Sequence, residues 1–237
     1  MNLMGTEGLR QRPARPPLQR RISPTVAAVL VLLVALATLI QVNVLGFAFH
    51  RLGLSEGWTL AVLVGSVLGG AVNLPVLRLE PDRAVRRVQW TPWGWLLTVT
   101  YPRPTIVAVN LGGAVVPIGL SAYLVVRTGI IVDAVVGVTV VGLIVHRLAR
   151  VIPDVGVAVP PLAPALCATL VALVLHPDAA AALAYVAGTL GTLVGADLTN
   201  LRAVARSGPP VIAIGGAGTF DGIVLAGVVA VLLVAVV

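Results

Sequence analysis

Residues 104–126 read PTIVAVNLGGAVVPIGLSAYLVV, a run of 23 uncharged residues between Arg103 and Arg127. A helix needs about 20 mostly apolar residues to cross the hydrocarbon core of a bilayer, so this run is long enough to span a membrane. Three other uncharged runs contain 29, 21 and 23 residues and lie between Arg21 and Arg51, Glu56 and Arg78, and Asp154 and Asp178. This repeated pattern predicts a multi-pass membrane protein.

The composition of the 237-residue chain agrees with that prediction. Hydrophobic residues make up 58% of the chain and charged residues 11%, whereas a soluble domain has about 45–50% and about 25%. Every basic residue behind the net charge of +7 is Arg, and no basic segment carries the interleaved aromatic residues that would indicate nucleic-acid binding. One Cys and three scattered His (Cys167, His50, His146 and His176) indicate no disulfide framework and no metal site, and no cofactor is expected.

We predict an all-α integral membrane protein with about seven transmembrane helices. The expected spans are approximately 25–49, 57–77, 104–126, 129–147, 158–176, 179–199 and 210–235. Residues 23–237 would form one polytopic membrane domain, and residues 1–22, rich in Arg and Pro, a disordered cytoplasmic tail. The first apolar run is interpreted as a retained signal anchor rather than a cleaved signal peptide, because the chain stays apolar from Val42 to Phe49.

The arginines predict the orientation of these spans. With a cytoplasmic N-terminus, 14 of the 16 Arg lie on the inner side and only Arg51 and Arg127 lie outside, in agreement with the positive-inside rule. The C-terminus then lies outside, and the expected location is a prokaryotic inner membrane, with the lipid bilayer as a partner. The inner connection 78–103 contains VQWTPWGWLLTVTY (88–101), which predicts a short interfacial β-hairpin that acts as an aromatic anchor or, alternatively, as a binding platform.

Polar residues inside membrane helices indicate where function lies, because a buried carboxylate is costly there. Asp197 and Asp221 are the candidate catalytic residues. Asp197 falls near the cytoplasmic end of the sixth predicted span, and Asp221 about 10 residues, or about 15 Å, into the seventh from the same side. Counting depth along each span places further polar or helix-breaking residues in the same leaflet. These candidate substrate- or ion-binding residues are Asn73, Asn110, Asn200, Gly216, Gly218 and Thr219.

A structural interpretation of the same residues remains open. The Asn side chains can hydrogen-bond between helices, and Asp197 can pair with Arg202 near the interface. Under that interpretation the protein is a scaffold or assembly factor, and its polar cluster only determines how the helices pack.

The strings GADLTNLR (195–202) and IGGAGTFDGI (214–223) resemble the prokaryotic multi-pass proteins of domain-of-unknown-function family 1614. The resemblance extends through NLGGA (110–114) and VPP (159–161). It implies a multi-pass membrane architecture and no particular activity.

A more distant resemblance is to intramembrane aspartyl proteases, which use two Asp on different helices. Their Gly-x-Gly-Asp setting is changed here, because Val194 and Ala196 stand in place of the two glycines, and Pro164-Ala165-Leu166 precedes both Asp instead of following them. Two functions therefore remain as hypotheses. One is an aspartyl-dyad hydrolase acting on a membrane-embedded substrate, and the other is a proton- or ion-coupled transporter of a small solute.

Overall fold

The computed structural model describes residues 24–80, 85–90, 96–101, 104–152, 156–207, 209–216 and 222–237. The chain divides into two compact units, Met1–Gln41 and Val42–Val237. The described part of the first unit is the beginning of helix α1, and every later element belongs to the second unit. The predicted tail, residues 1–22, lies outside the described residues.

The described chain is mostly helical. Its helices are α1 (Pro24–Arg51), α2 (Glu56–Gly70), α3 (Val116–Thr128), α4 (Ile131–Leu148), α5 (Ala163–Leu175), α6 (Ala180–Thr192), α7 (Leu201–Arg206) and α8 (Gly222–Val236). Two π-helical segments, π1 (Leu111–Val115) and π2 (Leu193–Leu198), directly precede α3 and follow α6, and a 3-10 turn (Pro177–Ala179) precedes α6. The Ser55 hydroxyl accepts the Trp58 N–H at the start of α2, and Gly129 ends α3 with a φ of 72°.

Helix α6 lies at the centre of the second unit, where α3, α4, α5 and α8 all contact it. Its residues 182–189 are buried without interruption. Small side chains allow this close packing. A Cβ on Gly188 would lie 3.0 Å from the Ala226 carbonyl of α8, and one on Gly191 would lie 2.8 Å from the Val141 side chain of α4.

A three-stranded sheet was not predicted from the sequence. Strand β4 (Thr105–Asn110) lies between β1 (Asn73–Leu79), which is antiparallel to it, and β7 (Val211–Ile214), which is parallel to it. The all-α prediction is therefore wrong at one end of the second, third and seventh predicted spans. The β-branched residues of β4 and β7 favour strands, and hydropathy does not distinguish a buried strand from a helix.

The smaller strand pairs include one that was predicted. Strands β2 (Val85–Trp90) and β3 (Leu96–Tyr101) pair antiparallel inside the connection 78–103, as the hairpin prediction requires. Strands β5 (Arg150–Ile152) and β6 (Gly156–Ala158) form a further antiparallel pair, so the fifth predicted span begins as a strand at its first residue.

The apolar helices indicate association with a membrane. Among the described residues, Leu111–Thr128, Ile131–Leu148 and Pro177–Arg206 are long and apolar enough to cross a bilayer. The apolar helices Glu56–Gly70, Ala163–Leu175 and Gly222–Val236 are shorter. Val132 of α4 is 74% exposed and Leu143 is 63% exposed, and a continuous apolar surface of this kind is unfavourable in water.

Candidate functional site

Three Gly-Gly-Ala segments meet where the sheet joins the helices. They begin at Gly69, Gly112 and Gly215, and each lies beside the end of a strand of the three-stranded sheet. A Cβ on Gly69 would lie 2.8 Å from the Gly112 nitrogen, and a Cβ on Gly113 would overlap the Gly215 carbonyl oxygen. The three backbones therefore cross in direct contact, which only glycine permits. We call the contact of Gly69, Gly112, Gly113 and Gly215 the glycine crossing.

The amide of Asn110 holds the first two of these segments together. Its side chain is fully buried, and its Nδ2 donates to the Gly70 carbonyl at 2.8 Å and to Asn73 Oδ1 at 3.1 Å. Its Oδ1 accepts the Gly113 N–H at 2.7 Å, which caps π1. The predicted site residues Asn73 and Asn110 are thus in contact, and both amide hydrogens of Asn110 are engaged within the protein.

Asp197 connects π2 to the third Gly-Gly-Ala segment. Its Oδ2 accepts the Gly215 N–H at 2.9 Å, and the Asp197 side chain is half-buried. Gly215 has a φ of 82° and Gly216 a φ of 64°, so the chain turns sharply after β7 in the left-handed region that favours glycine. The turn presents a backbone donor to the carboxylate, and a π-helical segment is a frequent feature of functional sites.

Asn200 and two neighbours complete the end of π2. Asn200 is buried, and its Nδ2 donates to the carbonyls of Ala196 at 2.9 Å and Gly195 at 3.1 Å. Thr199 Oγ1 donates to the Gly195 carbonyl at 2.8 Å and lies 2.9 Å from His146 Nδ1. Neither His146 nor Thr199 is among the site residues predicted from the sequence, because their pairing across 53 positions leaves no local signal.

The other predicted site residues lie in or next to a segment that is not described. Gly216 is in the turn after β7, while Gly218, Thr219 and Asp221 lie outside the described residues. The described chain on both sides of that segment nevertheless packs against the start of π2. Ile214 and Ile223 share one buried cluster with Leu193, the first residue of π2.

The described part of the chain contains no group of three or more His, Cys, Asp or Glu residues that could hold a metal ion. The glycine crossing and the end of π2 together contain the Asp197 carboxylate, the Gly215 N–H that it accepts, and the side-chain amides of Asn73, Asn110 and Asn200, which are all engaged within the protein.

The sequence of this region identifies the family. Residues 67–233 match the family model described as Protein of unknown function (DUF1614). The chain belongs to this family. The match to DUF1614 includes all three Gly-Gly-Ala segments, Asp197 and Asp221. No curated protein and no solved structure matches the chain.

The repeated Gly-Gly-Ala string is the signal that could have located the glycine crossing from the sequence. The first two copies are visible as GGAVN (69–73) and NLGGAVV (110–116), and the third is GGAG (215–218). Their contacts require the sheet, because β1, β4 and β7 bring the three copies to one end.

Proposed function

We propose that the protein is a membrane-embedded aspartyl hydrolase in which Asp197 and Asp221 form the catalytic dyad. The observation that carries the proposal is that π2, which contains Asp197, contacts the chain on both sides of Asp221. The Asp197 carboxylate accepts the Gly215 N–H, and Leu193, the first residue of π2, shares a buried cluster with Ile223. Asp221 follows Gly216 by five positions, so it can lie at most about 18 Å from that turn.

The chemistry of such a pair follows from electrostatics. Two carboxyl groups that share a site of low dielectric do not both ionise, so one retains a proton while the other is charged. The charged carboxylate removes a proton from water, and the protonated carboxyl donates its proton to the carbonyl oxygen that the water attacks. The C–N bond of the substrate amide then breaks: the carboxyl that took the proton from water gives it to the leaving nitrogen, and a hydroxyl of the tetrahedral intermediate returns a proton to the other carboxylate, which restores the dyad.

The proposed membrane topology agrees with this reaction. In this topology the seven spans cross a prokaryotic inner membrane with the N-terminus inside and the C-terminus outside, because that orientation keeps 14 of the 16 Arg on the inner side. The sheet and the glycine crossing then lie toward the cytoplasmic face. The substrate is an amide within a membrane-embedded segment that reaches the inner leaflet.

The test is hydrolysis of a quenched fluorescent peptide library with apolar segments by the full chain in proteoliposomes. We expect Asp197→Asn and Asp221→Asn each to reduce the rate by at least about 100-fold, the usual contribution of a general acid or base. Asp178→Asn is the matched control, because Asp178 is exposed in the 3-10 turn before α6. Undiminished hydrolysis in either dyad variant, or no hydrolysis by the wild type, overturns the proposal.

A second candidate is a proton- or ion-coupled transporter of a small solute. It is favoured by the interrupted helices, since π1, π2 and the strands at the glycine crossing break three apolar runs where transporters commonly form their binding sites. Here Asp197 would carry the coupling proton. Uptake of a solute library into proteoliposomes under an imposed pH gradient separates the two candidates: flux that Asp197→Asn abolishes, without hydrolysis, supports transport.

A further inference from the structure

Helices α2 and α3 also approach each other at the end away from the sheet. The first turn of α2 and the last turn of α3 lie together there, and Trp58 stacks on Tyr123 with ring centroids 6.4 Å apart. Both aromatic side chains are exposed, Trp58 by 64% and Tyr123 by 45%. Exposed Trp and Tyr are typical of the boundary between lipid tails and headgroups.

An apolar groove of about 280 Å³ runs between the two helices below this aromatic pair. Its walls are Leu54, Trp58, Val62, Val116, Leu120 and Tyr123. Gly119 of α3 forms part of the same wall, and a Cβ built on it would have no atom within 4 Å. The missing side chain therefore keeps this part of the groove open.

A cation lies at the aromatic end of the groove. The Arg127 guanidinium stacks over the Tyr123 ring at 5.9 Å, and its Nη1 donates to the Gly53 carbonyl at 2.6 Å. Among the described residues Arg127 has no carboxylate within ion-pair distance. That single hydrogen bond uses one of the five donors of a guanidinium. The side chain is therefore held in place with donors left for an anion.

We propose that this groove binds an anionic phospholipid, with one acyl chain between α2 and α3 and the phosphate on Arg127. The apolar groove matches the acyl chain of such a lipid, and the guanidinium at its end matches the phosphate, with which Arg pairs well. In a bilayer the acyl chain gains little from leaving other lipid tails. Selectivity for the lipid therefore comes from Arg127, and the groove determines where the lipid lies.

The proposed lipid site is independent of the proposed hydrolase. The glycine crossing lies at one end of α2 and α3, and the groove lies toward the other end. The lipid site can be tested with Trp58 as the only tryptophan, in a Trp90→Phe, Trp93→Phe, Trp95→Phe background. Brominated lipid quenches Trp58 when its acyl chain lies in the groove. We expect brominated phosphatidylglycerol to compete for the site about fivefold better than brominated phosphatidylcholine, as one basic residue at an anionic lipid surface provides.

Two variants separate the parts of the proposal. Arg127→Gln should remove the preference for phosphatidylglycerol while quenching by phosphatidylcholine remains. Gly119→Leu should fill the groove and lower quenching by both lipids, without a clash, because its Cβ position is open. Equal quenching by both lipids in the wild-type protein, or a preference for phosphatidylglycerol that survives Arg127→Gln, indicates that Trp58 contacts only ordinary annular lipid. Either result overturns the proposal.

A second measurement does not depend on the tryptophan background. Native mass spectrometry of the otherwise unchanged chain should show retained phosphatidylglycerol that is reduced about fivefold in Arg127→Gln. Equal retention by both proteins contradicts the proposal.

Discussion

The two π-helical segments have the same backbone irregularity but differ in what the neighbouring polar side chain does. Beside π1, Asn110 is fully buried, and its amide engages Gly70, Asn73 and Gly113. Within π2, Asp197 is half-buried, and its carboxylate accepts a hydrogen bond from Gly215 of a distant segment.

The difference separates a structural site from a candidate reactive one. A neutral amide that is buried and fully engaged stabilises the backbone crossing around it. The Asp197 carboxylate, half-buried beside a glycine turn, is the group to which the proposed hydrolase assigns the chemistry. Both segments lie near the sheet, so position alone does not distinguish them.

The largest effect on stability should come from Gly113→Ala within π1. Its Cβ would overlap the Gly215 carbonyl oxygen, a backbone atom that cannot move aside, so we expect a loss of about 3 kcal/mol or more in the free energy of unfolding. The measurement is SDS-induced unfolding in mixed micelles. Gly119→Ala in α3 is the control: its Cβ meets no atom within 4 Å, and it should stabilise the helix by up to about 1 kcal/mol. Equal behaviour of the two variants would disprove the close crossing.

Asn110→Ala should have an intermediate effect. It leaves the Gly113 N–H and the Gly70 carbonyl without their side-chain partner in a buried region, so we expect a loss of about 2–3 kcal/mol. Asn200→Ala removes donors to the Gly195 and Ala196 carbonyls and a 3.3 Å hydrogen bond to Thr199 Oγ1 at the end of π2, and should cost about 1 kcal/mol in the same unfolding experiment. If Asn200→Ala cost more than Asn110→Ala, Asn110 would not be the main polar contact of the crossing.

Asp197→Asn should have the smallest effect on stability. The amide retains an oxygen that can accept the Gly215 N–H, so the free energy of unfolding should change by less than about 1 kcal/mol. The same purified variant should lack hydrolysis, which separates a chemical role from a structural one. A loss of several kcal/mol with no change in activity would make Asp197 equivalent to Asn110 and remove the contrast between π1 and π2.

Several features of the fold follow from local sequence. The long uncharged runs predict apolar helices, and β-forming residues around Pro92 and Gly94 predict the pairing of β2 with β3. Asn110 and Asp197 were selected because polar groups are costly in apolar runs, and that reasoning does not depend on their partners. The family was also identifiable from the strings around Asp197 and Asp221.

Contacts between distant segments determine where apolar runs become strands and which polar groups meet. Residues 105–110 and 211–214 are as apolar as helix residues, and they form strands because β4 supplies hydrogen bonds to β1 and β7 together. Asn110 bonds to residues 37 and 40 positions earlier, and Asp197 to one 18 positions later, so no local pattern records these partners. The apolar character and the candidate residues can be read from the sequence alone, because they depend on side-chain chemistry. The glycine crossing depends on backbone contacts between distant segments, which only the folded chain forms.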